Sequence, residues 1–231
     1  MITIRRSHER GRTKMDWLES YHTFSFGDYD DPDHVGFRKL RVINEDWIAP
    51  GSGFPTHAHH DMEILTVVLE GELEHKDSMG NGSVIRAGEV QRMSAGTGVT
   101  HSEYNHSKSK PVHLLQIWIL PDQLGLEPSY GQRVFPKEKK RNQWCLIASE
   151  SLAGALKIHQ DVNVSVCALD QDKQAEYQLK SRRHGWLQVA EGSVRLADKL
   201  LSAGDGAMIS SERRLSVIAE KGSEILLFDL A

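Results

Sequence analysis

Short strand patterns separated by glycine turns run through the first half of the chain, and they constrain its fold more than any other feature. Segment 64–69, Ile-Leu-Thr-Val-Val-Leu, is apolar, β-branched and of strand length, so it predicts a buried strand rather than a helix. Residues 2–4 are predicted as a short strand and residues 9–16 as a polar loop. Gly80-Asn81-Gly82 suits the positive φ of a hairpin tip. Further strand patterns follow at 72–75, 84–85, 91–94, 100–104 and 112–120. This spacing predicts an all-β fold, an antiparallel barrel or sandwich.

The second half of the chain repeats this pattern in weaker form. The strand and turn at 67–73 are echoed at 187–194, and the glycine turn at 86–90 is echoed at 202–206. Repetition at this scale predicts two related β domains. We expect an N-terminal domain, a linker and a C-terminal domain over residues 1–136, 137–145 and 146–231.

The composition excludes several classes of protein. The 231 residues are enough to bury a substantial core, and the net charge is −4, so a basic footprint for nucleic acid is absent. No apolar stretch is long enough to span a bilayer. We therefore expect a cytoplasmic protein without nucleic-acid or membrane partners. Cys145 and Cys167 form no CxxC motif, which favours free thiols over a disulfide framework or a thiolate zinc site.

Two pairs of polar residues indicate a metal site because a single residue separates the members of each pair. They are His57-Ala58-His59 and His101-Ser102-Glu103. In a strand, residues i and i+2 point to the same face about 6.5 Å apart, so each pair can aim two side chains at one point. One such pair could be two surface histidines, but two pairs, each after a glycine-rich turn, favour a site. Three imidazoles and one carboxylate suit a divalent Fe, Ni, Co, Mn, Cu or Zn ion with open positions for a reactant.

Other polar residues near these pairs are expected to have different roles. His60 has the opposite parity and should face outward. Glu63 shares the parity of His57 and His59, but a straight strand places it about 13 Å beyond His59, so it can bind the metal only if the chain bulges or turns between them. We predict instead that it acts beside the metal or as a general base. Four more histidines are expected to be ordinary surface or hydrogen-bonded residues: His75, His106, His113 and His159. In the second half Leu215-Ser216-Val217 stands roughly where His101-Ser102-Glu103 would recur, so we expect no metal there.

The order of these residues resembles the two sequence motifs of the cupin superfamily. The first motif is matched by Gly51, His57, His59, Glu63 and Gly71, with one extra residue before the last glycine. The second is matched by Gly88, Ser94-Ala95-Gly96, His101 and Asn105, with Ser in place of the usual Pro. These departures resemble the pirin branch of cupins, particularly the bacterial pirin-like proteins, as do segments 22–26, 41–44, 93–98, 101–105 and 115–121. The likeness is close over residues 1–136 and weaker beyond.

The resemblance implies a bicupin, a protein of two jelly-roll-like β-barrel domains, of which only the N-terminal one binds metal. It implies one metal, usually iron, held by the residues that here are His57, His59, His101 and Glu103. It also implies two functions. Bacterial pirin-like proteins are associated with quercetin 2,3-dioxygenase activity, and animal pirins with transcription-factor binding and iron-dependent redox sensing.

The predicted function is a metal-dependent oxygenase that cleaves flavonols such as quercetin, or another chelating enol, with O₂. A flavonol would bind through its deprotonated 3-hydroxyl, and ring cleavage would release carbon monoxide. Glu103 or Glu63 would take the proton. The alternative is a regulatory protein whose metal senses redox state and whose surface binds a protein partner, although no sequence feature marks such a surface. A third possibility is a metal-stabilised fold whose substrate is not a flavonol.

Overall fold

The structure, a computed structural model, describes residues 1–231 and is almost entirely β-structure. A 3-10 helix at Ser7–Glu9 and a single turn, α1 (Lys137–Lys140), are its helices. The strands are β1 (Ile2–Arg5), β2 (Gly11–Lys14), β3 (Leu18–His22), β4 (Leu40–Ile48), β5 (Gly53–His59), β6 (Glu63–Glu70), β7 (Glu72–Asp77), β8 (Gly82–Arg86), β9 (Glu89–Ser94), β10 (Val99–Asn105), β11 (Val112–Ile119), β12 (Ser129–Val134), β13 (Cys145–Ser149), β14 (Leu156–Lys157), β15 (Val162–Leu169), β16 (Gln174–Gln178), β17 (His184–Leu196), β18 (Lys199–Ser202), β19 (Gly206–Ile209) and β20 (Arg214–Leu230). The prediction of an all-β fold is confirmed. No helix in the structure has the length and apolar character needed to cross a bilayer.

The chain forms two compact units. One comprises Gly11–Val134 with Ile158–Gln160, and the other comprises Met1–Arg10, Phe135–Lys157 and Asp161–Ala231. The predicted strand at the N-terminus exists as β1, and it pairs with β19, which is why the first ten residues group with the C-terminal half. The expected domain boundaries stay a prediction, and β1 is the element that the structure groups differently.

The unit that begins at Gly11 is built from two antiparallel sheets. One has seven strands in the order β12-β9-β6-β11-β4-β3-β2, and the other has four in the order β5-β10-β7-β8. The strand predicted to be buried is β6, which pairs with β9 on one side and β11 on the other. The hairpin predicted at 80–82 joins β7 to β8. The expectation of a polar loop over 9–16 was wrong for β2, which pairs with β3 at the edge of the sheet, where polar side chains can meet water.

Apolar side chains from both sheets form one core of this unit. Leu73 and Ile85 come from the four-stranded sheet and are fully buried against Leu18, Val68 and Leu114 of the other sheet. Each such side chain contributes about 1.5–3 kcal/mol through burial. This core holds the four-stranded sheet against the larger one, and the four-stranded sheet carries the predicted metal site.

The second unit consists of one nine-stranded sheet in which two long strands, β17 and β20, pair with each other. Register shifts along this pair mark bulges, which allow long strands to bend. Leu215 and Val217 stand roughly where His101 and Glu103 would recur in the sequence repeat. Both are buried in the apolar core of this unit. The repeat is also visible in the backbone, because Gly71, between β6 and β7, and Gly192, within β17, have φ of 84° and 78° and contact backbone that leaves no room for a Cβ. Cys145 and Cys167 are free thiols, as predicted.

Candidate metal centre

The two predicted ligand pairs lie on neighbouring strands of the four-stranded sheet. His57 and His59 are on the edge strand β5, and His101 and Glu103 are on β10, which hydrogen-bonds to β5 with His101 directly opposite His57. Residues opposite each other in a sheet point to the same face. A register shift between His101 and Glu103 adds a bulge at the site. The pairing therefore brings the two pairs together by adjacency within one sheet.

The Nε2 atoms of the three histidines converge. Nε2 of His101 lies 2.9 Å from Nε2 of His59 and 3.0 Å from Nε2 of His57. Two nitrogens that bind one ion at about 2.1 Å and at a right angle lie about 3 Å apart. The spacing of the three nitrogens therefore fits coordination of a common ion.

The protonation of the imidazoles also suits metal binding, which requires a neutral ring with a free lone pair. Nδ1 of His57 donates to the carbonyl oxygen of Pro55 at 2.8 Å, which leaves the lone pair on Nε2. Burial, with a further contribution from the neighbouring imidazoles, lowers the pKa of His59 to about 4 and the pKa of His101 to about 2. Both rings are therefore neutral at neutral pH.

Glu103 is buried beside the histidines, with 3% exposure. Its Oε2 accepts a hydrogen bond from Gln116 at 2.8 Å, whereas its Oε1 has no hydrogen-bond partner. Burial, and secondly the carboxylate of Asp46, raises the pKa of Glu103 to about 7. An unpartnered buried carboxylate oxygen is costly, and a cation would satisfy it. The donor set of three imidazoles and a carboxylate thus fits a divalent transition metal. The ligand atoms of Glu103, His101 and His75 lie within 4.8 Å of one another, and those of His57, His59 and His101 form a second such group.

Glu63 lies apart from the three histidines. It is the first residue of β6 in the seven-stranded sheet and is 2% exposed. Its Oε2 accepts from Oγ of Ser94 at 2.8 Å, and its Oε1 accepts from Nδ1 of His159 at 3.1 Å. Both oxygens are therefore engaged. The structure does not bring Glu63 into either group of residues with metal-binding geometry.

The other histidines named in the sequence analysis have different surroundings. His60 faces outward as expected, with 67% of its side chain exposed. Three histidines pair with carboxylates as ordinary hydrogen-bonded residues: His106 with Glu74, His113 with Glu45 and His159 with Glu63.

His75 lies next to the three histidines, which the sequence did not predict. It is hydrogen-bonded, as expected, but it is also fully buried, and its Nδ1 lies 3.4 Å from Nδ1 of His101. Its Nε2 lies 3.1 Å from Oδ2 of Asp77. His75-Lys76-Asp77 is a third pair with one intervening residue on a strand, and this signal could have found it.

A cavity of about 410 Å³ opens beside the histidines, within the usual size of small-molecule sites. His57, His59 and Glu103 line one part of it. Aromatic rings of Phe26, Phe54 and Trp118 line another part. The metal-binding geometry is therefore open to a small molecule.

Two residues that line the cavity carry further buried polar atoms without a hydrogen-bond partner. They are Oδ1 of Asp46 and Nε1 of Trp118. Burial raises the pKa of Asp46 to about 7. Buried polar atoms of this kind normally have partners, so a ligand in the cavity would be expected to supply them.

Comparison with known proteins identifies the family. Residues 3–119 match the family described as Pirin, and residues 146–230 match the family described as quercetinase C-terminal cupin domain. The chain belongs to the pirin family. A curated pirin relative, "Quercetin 2,3-dioxygenase" of Escherichia coli K12, is 47% identical over 100% of this chain and 99% of its own length. A relative in Pasteurella multocida, "Putative quercetin 2,3-dioxygenase PM1685", is 45% identical over 100% of both chains.

Solved pirin structures agree over the whole length. The crystal structure of YhhW from Escherichia coli superposes with a TM-score of 0.96 at 48% identity and covers 100% of this chain and 98% of that chain. The bacterial pirin YhhW in complex with nickel(II) superposes with a TM-score of 0.94 at 48% identity and covers 100% and 99%. The predictions of a pirin-type bicupin and of an enzyme are confirmed. The nickel complex supports a divalent metal, as predicted.

Proposed function

We propose that this protein is a dioxygenase that cleaves flavonols such as quercetin at a divalent metal held by His57, His59, His101 and Glu103. The observation that carries the proposal is the convergence of the Nε2 atoms of three histidines beside a cavity of ligand size. Whole-length relatives named quercetin 2,3-dioxygenase support it. Iron is the ion that the resemblance to pirins implies, nickel is the ion in the related crystal structure, and the donor set suits both.

The walls of the cavity suit a flat polyphenol. Phe26, Phe54 and Trp118 offer aromatic surfaces for planar rings. The unpartnered oxygen of Asp46 is an acceptor, so a ligand that satisfies it has to bring a hydrogen-bond donor such as a hydroxyl group. A flavonol combines planar rings with several hydroxyl groups and therefore matches both features.

The residues of the chain bind the substrate and accept its proton. When bound, the metal would supply the Lewis acidity that makes the 3-hydroxyl of a flavonol acidic and the redox chemistry that O₂ requires. We assign the proton to Glu103, whose Oε1 would leave the ion to accept it, rather than to Glu63. Glu103 lines the cavity and has a free oxygen, whereas Ser94 and His159 occupy the oxygens of Glu63.

Metal analysis and gas measurements test the proposal. Protein purified without chelator should carry one ion per chain, and the loaded protein should consume O₂ with quercetin and release an equal amount of carbon monoxide. His101→Ala should lose both the ion and the turnover. His106→Ala is the matched control, because His106 is an exposed histidine bonded to Glu74 outside the site. Metal-loaded protein that releases no carbon monoxide, or a His101→Ala variant that behaves as wild type, would contradict the proposal.

A further inference from the structure

A line of buried groups leads away from the cavity behind the three histidines. Nδ1 of His101 faces Nδ1 of His75 at 3.4 Å, and Nε2 of His75 faces Oδ2 of Asp77 at 3.1 Å. The side chains of His75 and Asp77 have no solvent exposure. They are carried by β7, which pairs with β10 so that Asp77 lies opposite His101. Neither His75 nor Asp77 lines the cavity.

The partners along this line leave one consistent arrangement of protons. The carboxylate of Asp77 can only accept, so Nε2 of His75 carries the hydrogen and donates to it. Nδ1 of His75 therefore has a lone pair, which also accepts from Nε2 of Gln91 at 3.2 Å. A nitrogen that faces this lone pair must itself be an N–H donor. His101 thus carries its hydrogen on Nδ1 and leaves Nε2 free, on the side of His57 and His59.

We propose that Asp77, acting through His75, fixes the tautomer and orientation of His101 and so presents Nε2 of His101 to the metal. This inference rests on the proposed metal site and adds two positioning residues to it. Hydrogen bonds to the far nitrogen of a ligand histidine commonly orient the ring in this way. His75, His101 and Glu103 also group within 4.8 Å, but both nitrogens of His75 are already engaged by Asp77 and Gln91, which suits a hydrogen-bond partner rather than a ligand.

The turn after β7 holds the carboxylate of Asp77 in one orientation. Oδ1 accepts the backbone N–H groups of Met79 at 3.0 Å and Asn81 at 2.9 Å, and the Asn81 side chain contacts both oxygens. Asp77→Asn must therefore keep its oxygen at the Oδ1 position, and its amide nitrogen then faces His75. An N–H donor at that point moves the hydrogen of His75 to Nδ1. His101 must in turn accept at Nδ1 and carry its own hydrogen on Nε2, the atom that should bind the metal.

The test measures nickel(II) affinity and the tautomer of His101. Asp77→Asn should raise the Kd for nickel(II), measured by calorimetry, by about 10–100-fold. In ¹H–¹⁵N correlation spectra of the metal-free protein, the hydrogen of His101 should move from Nδ1 to Nε2. Asp205→Asn is the matched control, because Asp205 is also buried and accepts the backbone N–H groups of Ser7 and Ser202 in the other unit. It should keep the wild-type Kd even if it lowers the melting temperature.

A second variant covers the case in which Asp77→Asn does not fold. His75→Phe keeps a ring against Tyr130, whose ring centroid lies 4.9 Å from that of His75, and removes both nitrogens. It should weaken nickel binding to a similar extent. Wild-type affinity in both variants, or an unchanged tautomer of His101 in Asp77→Asn, would overturn the inference. A wild-type protein that binds no nickel and does not turn over quercetin would instead overturn the proposed function, and the tautomer measurement would still decide the inference.

Discussion

Replacing Glu63 by Gln should separate a structural carboxylate from a catalytic one. Glu63 and Glu103 are both buried, but their surroundings differ. Glu63 accepts from Ser94 at 2.8 Å and from His159 at 3.1 Å, whereas Glu103 lines the cavity and its Oε1 has no partner. Gln has nearly the same shape as Glu, so Glu63→Gln changes hydrogen bonding without opening a cavity. We expect it to reduce stability and to leave turnover nearly intact.

The size of the stability effect follows from the two hydrogen bonds. A Gln at position 63 keeps a carbonyl oxygen for one donor and turns an NH₂ group toward the other, so one hydrogen bond to a charged group is lost. Such a bond contributes about 1.5–3 kcal/mol. For a chain of this length, that loss corresponds to a fall in melting temperature of about 3–12 °C. Glu103→Gln should instead lower kcat for quercetin by about 100-fold or more, because the proton acceptor is removed.

Thermal unfolding and carbon monoxide release, measured on the same preparations with equal metal content, distinguish the two carboxylates. Glu74→Gln serves as a control because Glu74 is paired with Lys76 and His106 outside the cavity. If Glu63→Gln lost turnover as severely as Glu103→Gln while it kept the wild-type melting temperature, Glu63 would be the base and the argument from its occupied oxygens would be refuted.

Three further predictions concern stability and reactivity. Burial raises the pKa of Asp46 from 3.8 in the unfolded chain to about 7 in the folded protein. Metal-free wild type should therefore lose stability relative to Asp46→Asn as the pH rises between these values. Urea unfolding at several pH values measures this difference, and a difference that does not change with pH would contradict the reasoning. Cys167 is fully buried and its pKa is raised to about 12 by burial, so iodoacetamide should modify it only after unfolding, as peptide mass mapping would show, and rapid native modification would refute this. Leu73→Ala should reduce the free energy of unfolding by about 2–5 kcal/mol in chemical denaturation, because Leu73 packs between the two sheets; a loss far below this range would mean that the core collapses around the gap.

Local sequence patterns predicted the elements whose character depends on near neighbours. The β-branched run of β6 and the Gly80-Asn81-Gly82 hairpin tip were found because strand propensity and positive φ are local properties. The two predicted ligand pairs were recognised because parity within a strand is also local. The choice of Glu103 over Glu63 as the carboxylate of the site followed from the limited reach of a straight strand.

The rest depended on pairing between distant segments. The pattern of β1 does not contain the information that it pairs with β19 about 200 residues away. β2 was missed because its polar residues are accommodated only by its place at a sheet edge. His75 was predicted to be an ordinary histidine because the sequence of β7 alone does not show that the neighbouring strands β8 and β10 bury it.

The position of β5 at the edge of its sheet affects how an ion could enter and leave. An edge strand is hydrogen-bonded to a neighbouring strand on one side only, and Pro55 within β5 has no N–H group to donate to a further strand. Two of the three histidines are therefore carried by an edge strand, which frays at a lower free energy than an interior strand, while His101 lies on the interior strand β10. A bound ion would link β5 to β10 through the histidines on both strands, so amide hydrogens of β5 should exchange with solvent more slowly once the metal is bound.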